Sequence, residues 1–129
     1  MNLLLDTHIW IWYLEGNPKI SQNLKSALED DNNQLFISPI SIWEILILSE
    51  KKKIQLNPTP IIWINQGIQT LGLQEAPLTI EIAVLSRQLD LVHQDPSDRF
   101  IAATTVYYNL ILATADTNLT QASCLQTLN

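Results

Sequence analysis

The sequence Asn2-Leu3-Leu4-Leu5-Asp6-Thr7-His8 opens the chain with a short apolar run that ends in an acid. Such a run predicts a strand buried on both faces of a sheet. The run 110–114 has the same character and is followed by Ala115 and Asp116. In open parallel sheets, ligands bind beyond the carboxyl ends of strands, where the strand order reverses. If the chain builds outward from its first strand and then crosses back, Asp6 and Asp116 become neighbours at that point. Either acid alone is equally well explained as a helix cap or turn former.

Helical and strand-like patterns alternate along the rest of the chain. Helices are predicted over 8–15, 20–28, 61–71, 80–89 and 97–108, and strands over 2–5, 34–38, 73–77, 110–114 and 125–128. A further helix has Pro39 in its first turn and runs through 42–48 to the lysines at 51–53. Strands separated by helices argue for a parallel sheet that is covered on both faces. No linker, internal repeat or low-complexity tract divides the sequence. We therefore expect a single α/β domain over residues 1–129, with three layers and a central parallel sheet flanked by helices.

The composition limits the class of protein. Apolar residues make up 47% of the 129 residues, which is enough for a packed core. No apolar run approaches the roughly 20 residues needed to cross a bilayer, and the first residues lack the basic region of a signal peptide. Cys124 is the single cysteine, so a reducing compartment is expected. These features predict a cytoplasmic protein with no membrane partner.

The net charge of −6 at first argues against a nucleic-acid substrate, because only seven lysines and arginines are present. Three of them, Lys51, Lys52 and Lys53, form one run. A nucleic-acid substrate would need another source of positive charge near its phosphate. A divalent metal ion held by acids would supply that charge.

Two further acids are candidates, and each has a competing structural explanation. Asp98 follows Asp95 and Pro96, which together form the start of a helix with a near capping box. Asp95 can act as the cap while Asp98 turns toward Asp6. Glu44 lies in a helix that is apolar almost all round, so it either faces water along a polar stripe or meets a cation, since a buried, unpaired carboxylate is costly.

The donor set favours a hard ion, because Mg²⁺ and Mn²⁺ prefer oxygen ligands. Zinc is disfavoured, since Cys124 is solitary and His8 and His93 lack a ligand spacing. The three glycines fit neither a phosphate-binding loop nor a dinucleotide fingerprint. No lysine follows Lys53, which counts against receiver domains and haloacid-dehalogenase-type phosphatases. No serine stands in a nucleophile elbow.

The chain resembles the PIN-domain family, and in particular the ribonuclease toxins of VapC type. The matching segments occur in the family's order and span nearly the whole chain: Leu4-Leu5-Asp6-Thr7-His8, Ser41-Ile42-Trp43-Glu44-Ile45, His93-Gln94-Asp95-Pro96-Ser97-Asp98-Arg99-Phe100-Ile101-Ala102-Ala103-Thr104 and Leu112-Ala113-Thr114-Ala115-Asp116. Ser97 stands where many relatives carry a larger apolar residue, which leaves the acids untouched.

The resemblance implies both a site and an activity. It implies that Asp6, Glu44, Asp98 and Asp116 bind one or two Mg²⁺ or Mn²⁺ ions and hydrolyse an RNA phosphodiester with metal-activated water. Thr7 and Thr114 would support the site through their hydroxyls, and Asp95 from outside the ligand set. Toxins of this type form homodimers and are silenced by a small antitoxin protein, so we expect both here. Two other roles stay open at this point: a nuclease of RNA processing or decay, and a metal- or RNA-binding module that does not cut.

Overall fold

A computed structural model describes residues 1–92 and 94–129. His93, the first residue of the third segment that carries the family resemblance, lies outside the described residues. Within the described ranges, strands and helices alternate in the order β1 (Asn2–Leu5), α1 (Thr7–Glu15), α2 (Gln22–Glu29), β2 (Gln34–Ile37), α3 (Pro39–Glu50), α4 (Pro60–Leu71), β3 (Gln74–Glu75), α5 (Ile80–Gln88), α6 (Pro96–Tyr107), β4 (Ile111–Ala113), α7 (Thr117–Thr120) and β5 (Thr127–Leu128).

The strands form one parallel sheet in the order β3-β2-β1-β4-β5. The chain builds from β1 outward to β3 and then crosses to the other side of β1 to add β4 and β5. Leu4 is paired with Phe36 of β2 on one side and with Leu112 of β4 on the other. The strand order therefore reverses between β1 and β4, which is the condition under which Asp6 and Asp116 become neighbours, and a crevice lies beyond the carboxyl ends of these two strands.

Both faces of the sheet are covered, because successive side chains of a strand point to opposite faces and all three leucines of β1 are buried. The face that carries Leu3 and Leu5 packs against residues of α1 to α4, among them Ile9, Trp10, Leu24, Ile45 and Ile64. The face that carries Leu4 packs against Ile101, Leu112 and Leu119. This arrangement confirms the predicted three-layer α/β fold.

The helix starts follow ordinary capping chemistry. Each helix begins after a Ser, Thr or Asp whose side chain accepts a hydrogen bond from a backbone N–H of the first turn: Asp6, Ser21, Ser38, Thr59, Thr79, Asp95 and Asp116. Because Ser38 caps α3, that helix begins at Pro39, the residue that the sequence placed in its first turn. Because Ser21 caps α2, that helix begins at Gln22 rather than at residue 20. The short helix α7 was not predicted. Within the described ranges, no helix combines the length and apolarity needed to cross a membrane.

Candidate active site

A pocket of about 290 Å³ lies beyond the carboxyl ends of β1 and β4. All four acids that the resemblance implied as ligands line this pocket, together with Asp95. They arrive from different elements: Asp6 directly follows β1, Glu44 lies in α3, Asp98 lies in the first turn of α6, and Asp116 follows β4. The fold therefore brings together acids that are scattered over the whole sequence.

Asp6 is the most deeply placed of these acids, with only 8% of its surface exposed. Its Oδ1 accepts a hydrogen bond of 2.8 Å from the backbone N–H of Thr7, and Asp6 is thereby the N-cap of α1. Its Oδ2 accepts one of 2.7 Å from the hydroxyl of Thr114. Burial raises the pKa of Asp6 above its ordinary value of 3.8, and the hydrogen bond from Thr114 opposes that rise. Each oxygen accepts one bond and keeps a further lone pair for a cation.

Glu44 is half-buried and faces the pocket, not a solvated stripe. The hydroxyl of Thr7 lies 2.6 Å from Glu44 Oε1 and 2.8 Å from the hydroxyl of Ser41, which is itself fully buried. An ionised carboxylate can only accept, so Thr7 donates its single hydroxyl proton to Glu44, and Ser41 donates to Thr7. Thr7 thus ties α1 to α3 and fixes Glu44 beside Asp6. In the sequence, a supporting role for Thr7 was implied only by the family resemblance, and no role was predicted for Ser41.

Asp116 is half-buried at the start of α7. Its Oδ1 accepts a hydrogen bond of 2.9 Å from the backbone N–H of Asn118, so it caps that helix. Its own N–H donates to the hydroxyl of Thr114 at 3.1 Å, and that hydroxyl in turn donates to Asp6. Asp116 therefore caps α7 through one oxygen and also lines the pocket.

The two acids at the start of α6, Asp95 and Asp98, have different roles, as the sequence suggested. Asp95 Oδ1 accepts hydrogen bonds from the backbone N–H groups of Ser97 and Asp98 at 2.9 and 3.3 Å, and from the hydroxyl of Ser97 at 2.8 Å. Asp95 is thus the N-cap of α6. Asp98, three residues on, is half-buried and lines the pocket.

Arg99 holds the segment that leads into α6, a role that the sequence did not reveal. Its guanidinium is buried and donates to the backbone carbonyls of Ser86 and Leu89, each at 2.7 Å, and to that of Leu91 at 3.4 Å. These bonds pin the end of α5 and the following loop against α6. Because Asp98 directly precedes Arg99 in α6, its backbone is thereby fixed relative to the pocket.

The acid-lined pocket carries negative charge on its wall. Among the described residues that line it, five are carboxylates and none is a lysine or arginine. His8 and Trp12 complete part of the wall, with their ring centroids 6.3 Å apart, and His8 is exposed rather than packed. A phosphate could not approach five carboxylates without an intervening cation, so the donor set suits a hard divalent ion.

The acids surround one pocket, yet they do not form a finished ion cage. Among residues 1–92 and 94–129, no three His, Cys, Asp or Glu side chains are arranged to ligate a single metal ion. The carboxylates that line the pocket carry like charges, which repel one another.

The protein is thus an α/β protein with an open parallel sheet. Its acid-lined pocket lies where the strand order reverses. The PIN domain family model matches residues 3–123. The chain therefore belongs to the PIN domain family, which confirms the family inferred from the sequence motifs. Ribonucleases of this family generally depend on divalent metal ions.

Known proteins agree with this assignment. Ribonuclease VapC22 of Mycobacterium tuberculosis is 28% identical over 120 residues, which cover 91% of this chain and 88% of the relative. VapBC2 from Rickettsia felis, solved bound to a DNA fragment from its promoter, has a structure with a TM-score of 0.72 at 17% identity, covering 100% of this chain and 98% of the other. VapBC-1 from nontypeable Haemophilus influenzae gives a TM-score of 0.69 at 19% identity, with coverage of 100% and 98%. The two structures share the fold with this chain.

Proposed function

We propose that this chain is a divalent-metal-dependent endoribonuclease that hydrolyses RNA phosphodiester bonds as the toxin of a toxin–antitoxin pair. Its ion is Mg²⁺ or Mn²⁺, its site of action is the cytoplasm, and residues 1–129 act as one PIN domain. The observation that carries the proposal is the convergence of Asp6, Glu44, Asp98 and Asp116 on one pocket in a member of this family. The ribonuclease relative supports RNA as the substrate.

The four acids are the proposed ligands and the proposed catalytic residues. A divalent ion bound among them would supply the Lewis-acid chemistry that activates water and offsets charge developing on the phosphate. Asp6 provides a fixed carboxylate, because Thr114 and the N–H of Thr7 hold its two oxygens in place. Such supporting hydrogen bonds orient ligands and raise the affinity of a site for its ion. Thr7 performs the same task for Glu44.

Acids at helix starts give the site a rigid frame. Asp116 and Asp95 cap α7 and α6, so the backbones that carry Asp116 and Asp98 are fixed by the same bonds that start the helices. Asp95 thus supports the site from outside the ligand set. Preorganised carboxylates lose little freedom when an ion and the substrate phosphate arrive, which favours catalysis.

The proposed partners follow from the toxin role. The structural neighbours include VapBC and other toxin–antitoxin assemblies, and they support a cognate antitoxin protein that silences this chain. We further propose that the chain forms a homodimer, as toxins of this type do.

Cleavage of RNA by the purified protein tests the enzymatic proposal. We expect cleavage with Mg²⁺ or Mn²⁺, none in EDTA, and none by Asp6→Asn or Asp98→Asn proteins that keep the circular dichroism spectrum of the fold. Asp90→Asn is the matched control, because Asp90 is exposed and lies outside the acid-lined pocket. Undiminished metal-dependent cleavage by the Asp6→Asn protein would refute the site.

Inducible expression in bacteria tests the toxin role separately. Induction of the unsubstituted chain is expected to arrest growth, while the Asp98→Asn chain at equal soluble expression is expected to be harmless. Normal growth with abundant soluble, RNA-cleaving protein would overturn the toxin role and leave the nuclease intact.

A further inference from the structure

A second pocket, of about 430 Å³, lies at the C-terminal end of α3. Two lysines, Lys52 and Lys53, line it together with the polar side chain of Asn57 and the indole of Trp63. In the part of the chain that the structure describes, neither ammonium group has an ion-pair or hydrogen-bond partner. We call this feature the lysine pocket. It combines two lysines without a direct ionic partner, one carboxylate (Glu15) and an aromatic wall, and it is distinct from the acid-lined pocket.

The backbone at Lys52 is unusual for a lysine. Its φ is +58°, in the left-handed region that glycine adopts most readily. The preceding Lys51 is the C-cap of α3, and the N–H of Lys53 donates to the carbonyl of Leu48 at 2.9 Å. Lysines near a helix C-terminus do gain from the helix dipole. A glycine at position 52 would nevertheless end the helix with less strain, so Lys52 adopts this conformation at a cost in free energy.

The lysine pocket and the acid-lined pocket lie along the same two helices. In α1, Trp12 lines the acid-lined pocket and Glu15, three residues later and adjacent on the helix surface, lines the lysine pocket. In α3, Glu44 lines the acid-lined pocket, and the helix then runs about 9 Å further to its end beside Lys52. Helices α1 and α3 pack against each other. One extended strand of nucleic acid could therefore reach both pockets.

The distribution of basic residues makes this location distinctive. Three of the seven lysines and arginines stand in the run 51–53, and Arg99 is buried on backbone carbonyls. A polyanion can be held near the acid-lined pocket only if positive charge nearby compensates for the net charge of −6. Among the residues described, the run 51–53 supplies the largest local concentration of that charge.

We propose that the lysine pocket binds a phosphate and an adjoining base of the same RNA strand that is cut at the acid-lined pocket. Lys52 and Lys53 contact the phosphate, and Trp63, packed on Trp10 with ring centroids 5.4 Å apart, provides a rigid apolar wall for the base. The carboxylate of Glu15 lines the same pocket and would repel the phosphate, which weakens binding. This inference rests on the proposed ribonuclease function and assigns part of its substrate binding.

Fluorescence anisotropy with a labelled single-stranded RNA of about 20 nucleotides tests the inference. All binding variants carry Asp98→Asn, so that the RNA stays intact. Lys52→Ala and Lys53→Ala should each weaken binding about fivefold at 0.1 M salt and lower the slope of log affinity against log salt by about 0.7. Lys25→Ala is the matched control, because Lys25 is exposed in α2 and lies outside both pockets, and we expect it to leave the affinity within about twofold.

Two further variants separate binding from stability. Lys52→Gly should raise the unfolding temperature, because it relieves the left-handed backbone, while it weakens RNA binding as much as Lys52→Ala. Glu15→Gln should tighten RNA binding, since it removes the one carboxylate among the residues named in this pocket. Lys51→Ala, which removes a charge from the same run outside the pocket lining, should weaken binding less than Lys52→Ala does.

The outcomes distinguish this inference from the proposed function. Cleavage by the protein without Asp98→Asn tests the proposed function alone. If that protein cleaves RNA while the Lys52→Ala and Lys53→Ala proteins bind like the Lys25→Ala control, the lysine pocket is refuted. Equal losses for Lys51, Lys52 and Lys53 would also refute it, because they would show a diffuse charge effect without a pocket.

Discussion

The hydroxyl of Thr114 donates a hydrogen bond of 2.7 Å to Asp6 Oδ2, although the two residues are 108 positions apart in the chain. The bond joins the ends of β1 and β4, the two neighbouring strands between which the strand order reverses. The same hydroxyl accepts from the N–H of Asp116. One threonine therefore links two of the four proposed ligands, and its substitution tests whether that link matters for activity.

Thr114→Val should lower the rate of RNA cleavage by about 10- to 100-fold, because loss of a hydrogen bond that orients a metal ligand has effects of that size. The isosteric side chain fills the same buried space, so the fold should survive. Thr114→Ser keeps the hydroxyl and should retain most of the activity. Equal cleavage rates for the valine and serine proteins, measured at saturating Mg²⁺, would show that the link to Asp6 is dispensable.

Asp6→Asn should stabilise the metal-free protein while it abolishes cleavage. Burial raises the pKa of Asp6, so the ionised form is disfavoured in the fold. Asp6 therefore contributes most to stability when it is protonated, at a pH below its pKa in the unfolded chain. This contribution is lost as the pH rises through the raised pKa of Asp6 in the folded protein. An asparagine at position 6 can still cap α1, and its amide can donate to Thr114.

Thermal unfolding in EDTA over a range of pH measures this effect. At neutral pH the Asp6→Asn protein should be more stable than the unsubstituted protein, because the amide stays uncharged where the carboxyl group must ionise in a buried position. The difference should shrink as the pH falls toward 3.8, the ordinary value for the group. A difference that does not change with pH would contradict the burial argument.

Arg99→Met should destabilise the protein by about 2–4 kcal/mol, because it leaves the carbonyls of Ser86 and Leu89 without their charged donor. Arg87→Met is the matched control, since Arg87 is exposed in the last turn of α5, and it should cost no more than about 0.5 kcal/mol. Urea unfolding measures both. Similar losses for the two variants would show that Arg99 does not hold the segment before α6.

Gly67→Ala should destabilise the protein, although alanine is ordinarily favoured inside a helix by about 1 kcal/mol. A Cβ at this position would lie 2.7 Å from Leu14 Cδ1 and 3.0 Å from Trp10 Cζ2. Overpacking of this kind costs about 1–3 kcal/mol. Asn65→Ala, at an exposed position of the same helix, should instead be neutral or slightly stabilising. A Gly67→Ala protein as stable as the Asn65→Ala protein would show that Trp10 and Leu14 can move aside.

Much of the fold was predictable because it depends on local patterns. The apolar runs 2–5 and 110–114 predicted β1 and β4, and their alternation with helices predicted the parallel sheet. The order of the strands in that sheet was not predicted. The helix α7 escaped prediction because four residues carry too little periodicity to be recognised. The start of α3 could be predicted because proline suits the first turn of a helix, and Pro39 is its first residue.

The site was predictable only in part. Asp6 and Asp116 follow buried strands, so their placement could be inferred from topology. The inward turn of Glu44 could not, because it depends on the bond from Thr7 across α1 and α3. Ser41 and Arg99 owe their roles to partners that are distant in sequence or that belong to the backbone. No local pattern of residues encodes such contacts.

The rate of Mg²⁺-dependent RNA cleavage by the Glu44→Gln protein, compared with that of the Glu50→Gln protein, tests the central claim most directly. Both residues lie in α3, but Glu44 lines the acid-lined pocket, whereas Glu50 is exposed at the end of the helix. If the four acids hold the catalytic ion, Glu44→Gln should slow cleavage by about 100-fold or more and should raise the Mg²⁺ concentration needed for half-maximal rate, while Glu50→Gln should change neither. Identical Mg²⁺ dependence and rates for the two variants would contradict the assignment of these acids as the active site.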